Sequence, residues 1–109
     1  MVKIEDIVLD KDTYIIKSSQ IKNGEKGIFS NKKIKEHSKI GLAFKQKKQG
    51  ELINNFEKTV LGFIVKNSKN SNVYIKQEKN DFYFYAKFNI DKNQELLLDF
   101  KSYPWFKQN

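Results

Sequence analysis

Val60 to Asn72 reads VLGFIVKNSKNSN. An apolar run stops at Lys66, and seven residues without a hydrophobic side chain follow. This pattern predicts a buried segment that delivers a polar, turn-rich loop into the molecule. Buried backbone groups must find partners. Asn67, Ser68 and Asn72 are suited to supply them, because short polar side chains bond neighbouring backbone readily.

Downstream of this loop, Val73-Tyr74-Ile75 reads as a strand, with β-branched and aromatic residues. Glu78 to Asp81, EKND, reads as a hairpin turn. Asp81 to Ile90, DFYFYAKFNI, is the clearest strand. Its alternation puts Phe82, Phe84, Ala86, Phe88 and Ile90 in one row and Tyr83, Tyr85 and Lys87 in the other. Rings in the second row either cover another core face or could stack bases. Asn93 sits in a turn where a left-handed residue is wanted, which Asn tolerates. Glu95 to Phe100 reads as a final strand, followed by the aromatic tail KSYPWFKQN.

Upstream, Glu51 to Leu61 is the helical candidate, with Leu52, Ile53, Phe56 and Val60 roughly on one face. Lys39 to Lys45 alternates Ile40, Leu42 and Phe44 as a strand does. Gly27 to Ser30 and Tyr14 to Ile16 read as further short strands. Gly24 and Gly27 suit positive φ or close backbone approach. Val2 to Leu9 is a strand or an N-terminal extension. The whole predicts a mainly β fold of short strands with one short helix, in a single domain over residues 1–109.

Composition narrows the function classes. Aromatics make up 14% of the 109 residues, which favours a compact core over disorder. The chain has no Cys and one His, which excludes structural zinc and thiol catalysis, and no metal site is expected. His37 lies in a polar turn, KEHSK, without the orienting group a catalytic triad needs. The net charge is +8, and all 21 cationic residues are Lys. Without Arg, sequence-specific base reading is disfavoured, while non-specific phosphate attraction stays open. Lack of Cys fits a reducing compartment, and no apolar segment is long enough for a membrane span, so a cytoplasmic location is expected. The Lys, Asn and Ile bias fits an AT-rich genome, such as that of a phage or a bacterium.

In order and spacing, several stretches together resemble the SET-domain protein methyltransferases in their smallest form. NGEKGIFS, Asn23 to Ser30, looks like the Gly-containing strand turn of that family. KNSKNSN, Lys66 to Asn72, aligns without a gap with the Asn-His-Ser loop and its later Asn. NIDKNQELLLDF, Asn89 to Phe100, looks like the acidic final motif, and YPW, Tyr103 to Trp105, like the aromatic close. The resemblance covers roughly residues 13–106.

It implies a SET-like β-clip in which the central loop threads beneath the C-terminal segment as a pseudoknot. It also implies S-adenosylmethionine as cofactor and a protein substrate that offers a lysine, with the basic surface suited to an acidic partner. Residue by residue, the implied cofactor contacts are Lys26, Gly27 and Ile28 at the turn, Lys66, Asn67 and Ser68 in the loop, and Trp105 as a surface for adenine. Phe100 stands at the position of the catalytic Tyr, and Tyr103 is the nearby hydroxyl. The chain departs from the family's pattern where chemistry is concentrated: Lys66 replaces Asn, Asn67 replaces His, and Phe100 replaces Tyr. Two functions follow as alternatives: a protein-lysine N-methyltransferase, or a catalytically degenerate SET-like module that binds a protein or nucleic acid. A small basic nucleic-acid-binding barrel is a third reading, in which no loop would be threaded. Exposed strand edges would permit a dimer.

Overall fold

A computed structural model describes residues 12–46, 56–58 and 60–103. The elements are β1 (Tyr14–Ser18), β2 (Lys26–Ser30), β3 (Lys39–Gln46), β4 (Phe56–Lys58), α1 (Val60–Ile64), β5 (Lys66–Asn67), β6 (Val73–Glu78), β7 (Asp81–Ala86) and β8 (Leu97–Leu98). A 3-10 turn, Phe100–Ser102, closes the described chain. The strands form three small sheets, ordered β1-β2, β4-β3-β7-β6 and β5-β8. This is the expected mainly β architecture.

The core lies between these sheets. Phe44, Phe84, Ile28, Leu61, Ile90, Leu96 and Leu98 are almost fully buried within it. Burying side chains of this size is the main favourable contribution to folding, at about 1.5–3 kcal/mol each. β6 and β7 are joined by the expected tight hairpin, Glu78 opposite Asp81, with Lys79 at φ 58. In β3 the simple alternation fails. Register shifts against β7 fall between Lys39 and Gly41 and between Leu42 and Phe44, so Ala43 and Phe44 are both buried. A bulge resets which face a side chain occupies.

Three expectations need correction. Of the helix expected over Glu51 to Leu61, only Val60 and Leu61 are helical among the described residues. Residues 51–55 lie outside the described residues, but Phe56–Lys58 is a strand paired with Phe44 to Gln46 of β3. The helical turn begins instead at Val60, within the apolar run, and ends before Lys66. A ladder partner overrides weak helix propensity, and an apolar run whose side chains Leu61 and Val65 are both buried needs no polar face. The strand expected from Asp81 to Ile90 ends at Ala86, and Phe88 is exposed rather than in the core row. The final strand is only Leu97–Leu98, although Glu95 bridges to Phe29. Val2 to Leu9, Pro104 and Trp105 lie outside the described residues.

The C-terminal segment is clasped from two sides. On one side it joins β2: Leu96 N–H donates to Ile28 O at 2.7 Å and Ser30 N–H to Gln94 O at 2.8 Å. On the other side it runs parallel to β5, with Lys66 opposite Leu97 and Asn67 opposite Leu98. Ser68 N–H donates to Leu98 O and Asn72 N–H to Leu97 O, each at 3.0 Å. The loop is thus held by a segment far downstream of it, which is the pseudoknot-like crossing of a β-clip.

Candidate functional site

Two of the loop's amides, those of Asn67 and Asn72, are spent on this crossing. Asn72 is buried, and its Nδ2 donates to Glu95 O at 2.9 Å while its Oδ1 accepts from Leu97 N–H at 2.8 Å. One side chain therefore satisfies both a donor and an acceptor of the C-terminal backbone. Asn67 Oδ1 accepts from Phe100 N–H at 3.0 Å, which fixes the start of the 3-10 turn. Ser68 Oγ accepts from Asn70 N–H at 3.1 Å and tightens the loop. The backbone-capping role expected for these residues is the one they perform.

The turn between β1 and β2 is held differently. Gly24 carries φ 83, the left-handed conformation that glycine adopts freely. Gly27 packs against a side chain: an added Cβ would collide with the Glu95 carboxylate. That carboxylate accepts from Ser19 Oγ at 2.7 Å and from Gln20 N–H at 2.8 Å. Glu95 is itself buried, so its charge is spent on securing the turn. Ser30 completes the arrangement. It is fully buried, its hydroxyl donates to Asp91 O, and it accepts from Gln94 N–H at 2.9 Å. A small hydroxyl residue at the end of β2 thereby fixes the turn that precedes the final motif, where Asn93 adopts φ 68 as expected.

Turn and loop meet through one ion pair. Lys66 Nζ lies 2.9 Å from Glu25 Oε1, and only 15% of the Lys66 side chain is exposed. Lys22 lies 3.8 Å from the other Glu25 oxygen. The hydrogen bond and charge of Lys66 hold the Glu25 carboxyl below its ordinary value, against an opposing desolvation. The sequence marks Lys66 but not its partner Glu25. The neighbouring Gly24 and Lys26 are the visible signal, and only the fold shows which side chain crosses to the loop.

The structure brings Lys26, Gly27, Lys66, Asn67, Ser68 and Phe100 into one neighbourhood through the ion pair, the β5-β8 pairing and the Asn67 bond. Ile28 contributes as core, with its carbonyl taken by Leu96. Phe100 is buried, at 7% exposure, and carries no hydroxyl. Tyr103 is half-buried, and its hydroxyl accepts from Ile75 N–H at 3.0 Å, which ties the chain's end to β6. Trp105 lies outside the described residues. His37 meets the Tyr74 hydroxyl at 3.2 Å and Glu36 at 3.6 Å, on an exposed turn.

The second row of β7 is not a bare aromatic face. Tyr85 stacks on Tyr74 at 5.7 Å, and Lys39 and Lys76 sit over Tyr83 and Tyr85. A groove shares Asn72, Glu95 and Leu97 with the crossing of loop and C-terminal segment and is otherwise lined by Gln20, Ile21, Asn70, Phe88, Asn93 and Gln94, and none of the expected cofactor contacts lines it. Among the described residues there is no group of three His, Cys, Asp or Glu placed to hold a metal, and no helix long and apolar enough to cross a membrane.

S-adenosylmethionine, the cofactor that the sequence resemblance implies, carries an ammonium, a carboxylate and a sulfonium. A lone Lys66 would repel two of these. Paired with Glu25, it presents one cation and one anion side by side, which suits a zwitterionic amino-acid end. The two charges are complementary to that end of the group, and the pair would have to part to admit it.

No family model matches the chain, and no curated protein matches it in sequence. Among solved structures it is similar to a "putative histone methyltransferase" from Plasmodium falciparum, with a TM-score of 0.60 and 21% identity over 81% of this chain and 92% of that one. At that identity the likeness is one of fold, and the chain has the small, β-rich, SET-like fold to which its ordered motifs point.

Proposed function

We propose that this chain is a minimal SET-type module for S-adenosylmethionine-dependent methyl transfer to a protein lysine, working slowly because position 100 carries Phe. The observation that supports it is the Glu25–Lys66 pair, set between the glycine turn and the threaded loop. Lys66 would hold the cofactor's carboxylate and Glu25 its ammonium, with the Lys26–Gly27 backbone alongside. When bound, the cofactor supplies an electrophilic methyl group. The chain's own contribution is to orient and exclude water. Phe100 is a buried ring that can wall a lysine channel, but it cannot orient the amine by hydrogen bonding. A missing preorganised donor costs roughly 100–1,000-fold in rate.

A second reading, a SET-like module that binds without turnover, draws on the same ring and on the Tyr103 hydroxyl, which is engaged by Ile75. Calorimetry with S-adenosylmethionine, followed by transfer of a labelled methyl group to lysine-containing peptides, tests the first reading. Expected are micromolar binding, weakened by Lys66→Ala, and a roughly tenfold or greater gain in transfer by Phe100→Tyr. No binding at millimolar cofactor would leave only the second. Substituting Gly27 would not decide the matter, because its Cβ collides with Glu95 whether or not a cofactor binds.

A further inference from the structure

Phe88 stands 48% exposed beyond the end of β7, and Ile21, on the turn after β1, is 50% exposed. These are the large apolar side chains that the described residues leave in solvent. Both line the same groove, of about 440 Å³. The wall between them is amide-rich, with Gln20, Asn70, Asn93 and Gln94. Amide side chains both donate and accept, as a peptide backbone does. Two exposed apolar side chains lining one groove, with polar groups around them, offer a place for an apolar side chain of a partner.

Exposed lysines adjoin the lining residues in sequence. Lys22 follows Ile21, Lys69 precedes Asn70, Lys87 precedes Phe88 and Lys92 precedes Asn93, and of the four Lys22 is paired with Glu25. Lys87 Nζ donates to Ser71 Oγ at 3.0 Å, next in sequence to the lining residue Asn72. Glu95 also lines the groove, but its two oxygens are taken by Ser19 and Gln20. Asp91 is the neighbouring exposed acid. Single-stranded nucleic acid fits less well. Its bases need successive rings, whereas Phe88 is the one ring lining this groove among the described residues, and Tyr74 and Tyr85 elsewhere stack on each other.

We propose that this groove docks an acidic protein segment, seating a Phe- or Leu-type side chain between Ile21 and Phe88 while the flanking lysines attract its carboxylates. The inference does not rest on methyl transfer and holds for either reading of the cofactor cleft. The test is fluorescence anisotropy with a labelled twelve-residue peptide repeating Glu-Asp-Phe-Glu, the same peptide with Ala for Phe, and a twelve-residue oligothymidine. Expected are binding of the Phe peptide, about tenfold weaker binding of the Ala peptide, and about tenfold loss in Phe88→Asp and in Ile21→Asp. Rising salt should weaken all of it. Both positions are exposed, so an unchanged melting temperature will show that the variants fold. Unchanged affinity in both variants, or equal binding of the Ala peptide, would overturn the proposal. So would oligothymidine binding that Phe88→Asp abolishes, or a dimer in sedimentation that the variants disperse.

Discussion

The loop at 66–72 and the turn at 19–25 flank the same C-terminal segment, yet they are attached to it in opposite ways. The loop sends its own side chains inward: Asn72 and Asn67 bond the backbone of Glu95, Leu97 and Phe100. The turn receives a side chain from the segment: Glu95 reaches out to Ser19 and Gln20. The first arrangement buries backbone groups whose partners cannot be replaced by water. The second hangs a mostly exposed turn on one carboxylate. The loop is therefore held by more of its own side chains than the turn is, and Glu25, on the less tightly held turn, is the residue expected to move if the Lys66 pair opens.

Asn72→Ala should show the largest effect. It strands a part-buried donor at Leu97 and a buried acceptor at Glu95, each costing about 1–3 kcal/mol. A total of about 3 kcal/mol would lower the melting temperature by more than about 10 °C in a chain of this size. Asn67→Ala removes one bond from an exposed residue and should cost only about 1 kcal/mol. Equal losses in the two variants would erase the distinction between a buried and a peripheral clasp.

Gly27→Ala comes next. Its Cβ must displace the Glu95 carboxylate and with it the turn's two bonds, a cost of about 1–3 kcal/mol. In a Glu95→Ala background the collision disappears. The two substitutions together should then destabilise by less than the sum of each alone, by about 1 kcal/mol or more. Additive losses in urea unfolding would show that the carboxylate does not fill the space beside Gly27.

Much of this frame is legible in the sequence because it depends on local chemistry. The glycine positions, the left-handed Asn93 and the β6–β7 hairpin each follow from what those residues tolerate. The threaded crossing is legible only through resemblance, since no local pattern tells residue 67 that residue 100 is its partner. The helix falls elsewhere than expected because Leu52 to Val60 imitates a helical face, while the ladder offered by β3 is invisible along the chain. Phe88 reads as core because alternation gives no sign of where a strand stops. Charge pairing is equally invisible: Lys66 reads as solvent-bound or repulsive until Glu25, on the turn before β2, stands beside it.

The smallest effect, and the sharpest test of the less tightly held turn, is the titration of Glu25. Lys66 holds its carboxyl below the ordinary value of 4.5, chiefly through their hydrogen bond. A carboxylate with a depressed folded pKa contributes stability above its unfolded pKa, and that contribution is lost as pH falls through the folded value. Lys66→Met should therefore move the Glu25 midpoint up toward 4.5, read from its carboxyl carbon resonance, with little change in melting temperature because the Glu25 end of the pair is exposed to solvent. If Glu25 titrates identically with and without Lys66, the pair does not persist in solution, and turn and loop are joined only through Glu95 and the C-terminal segment. If its midpoint rises as expected, the pair persists in solution and joins turn and loop directly.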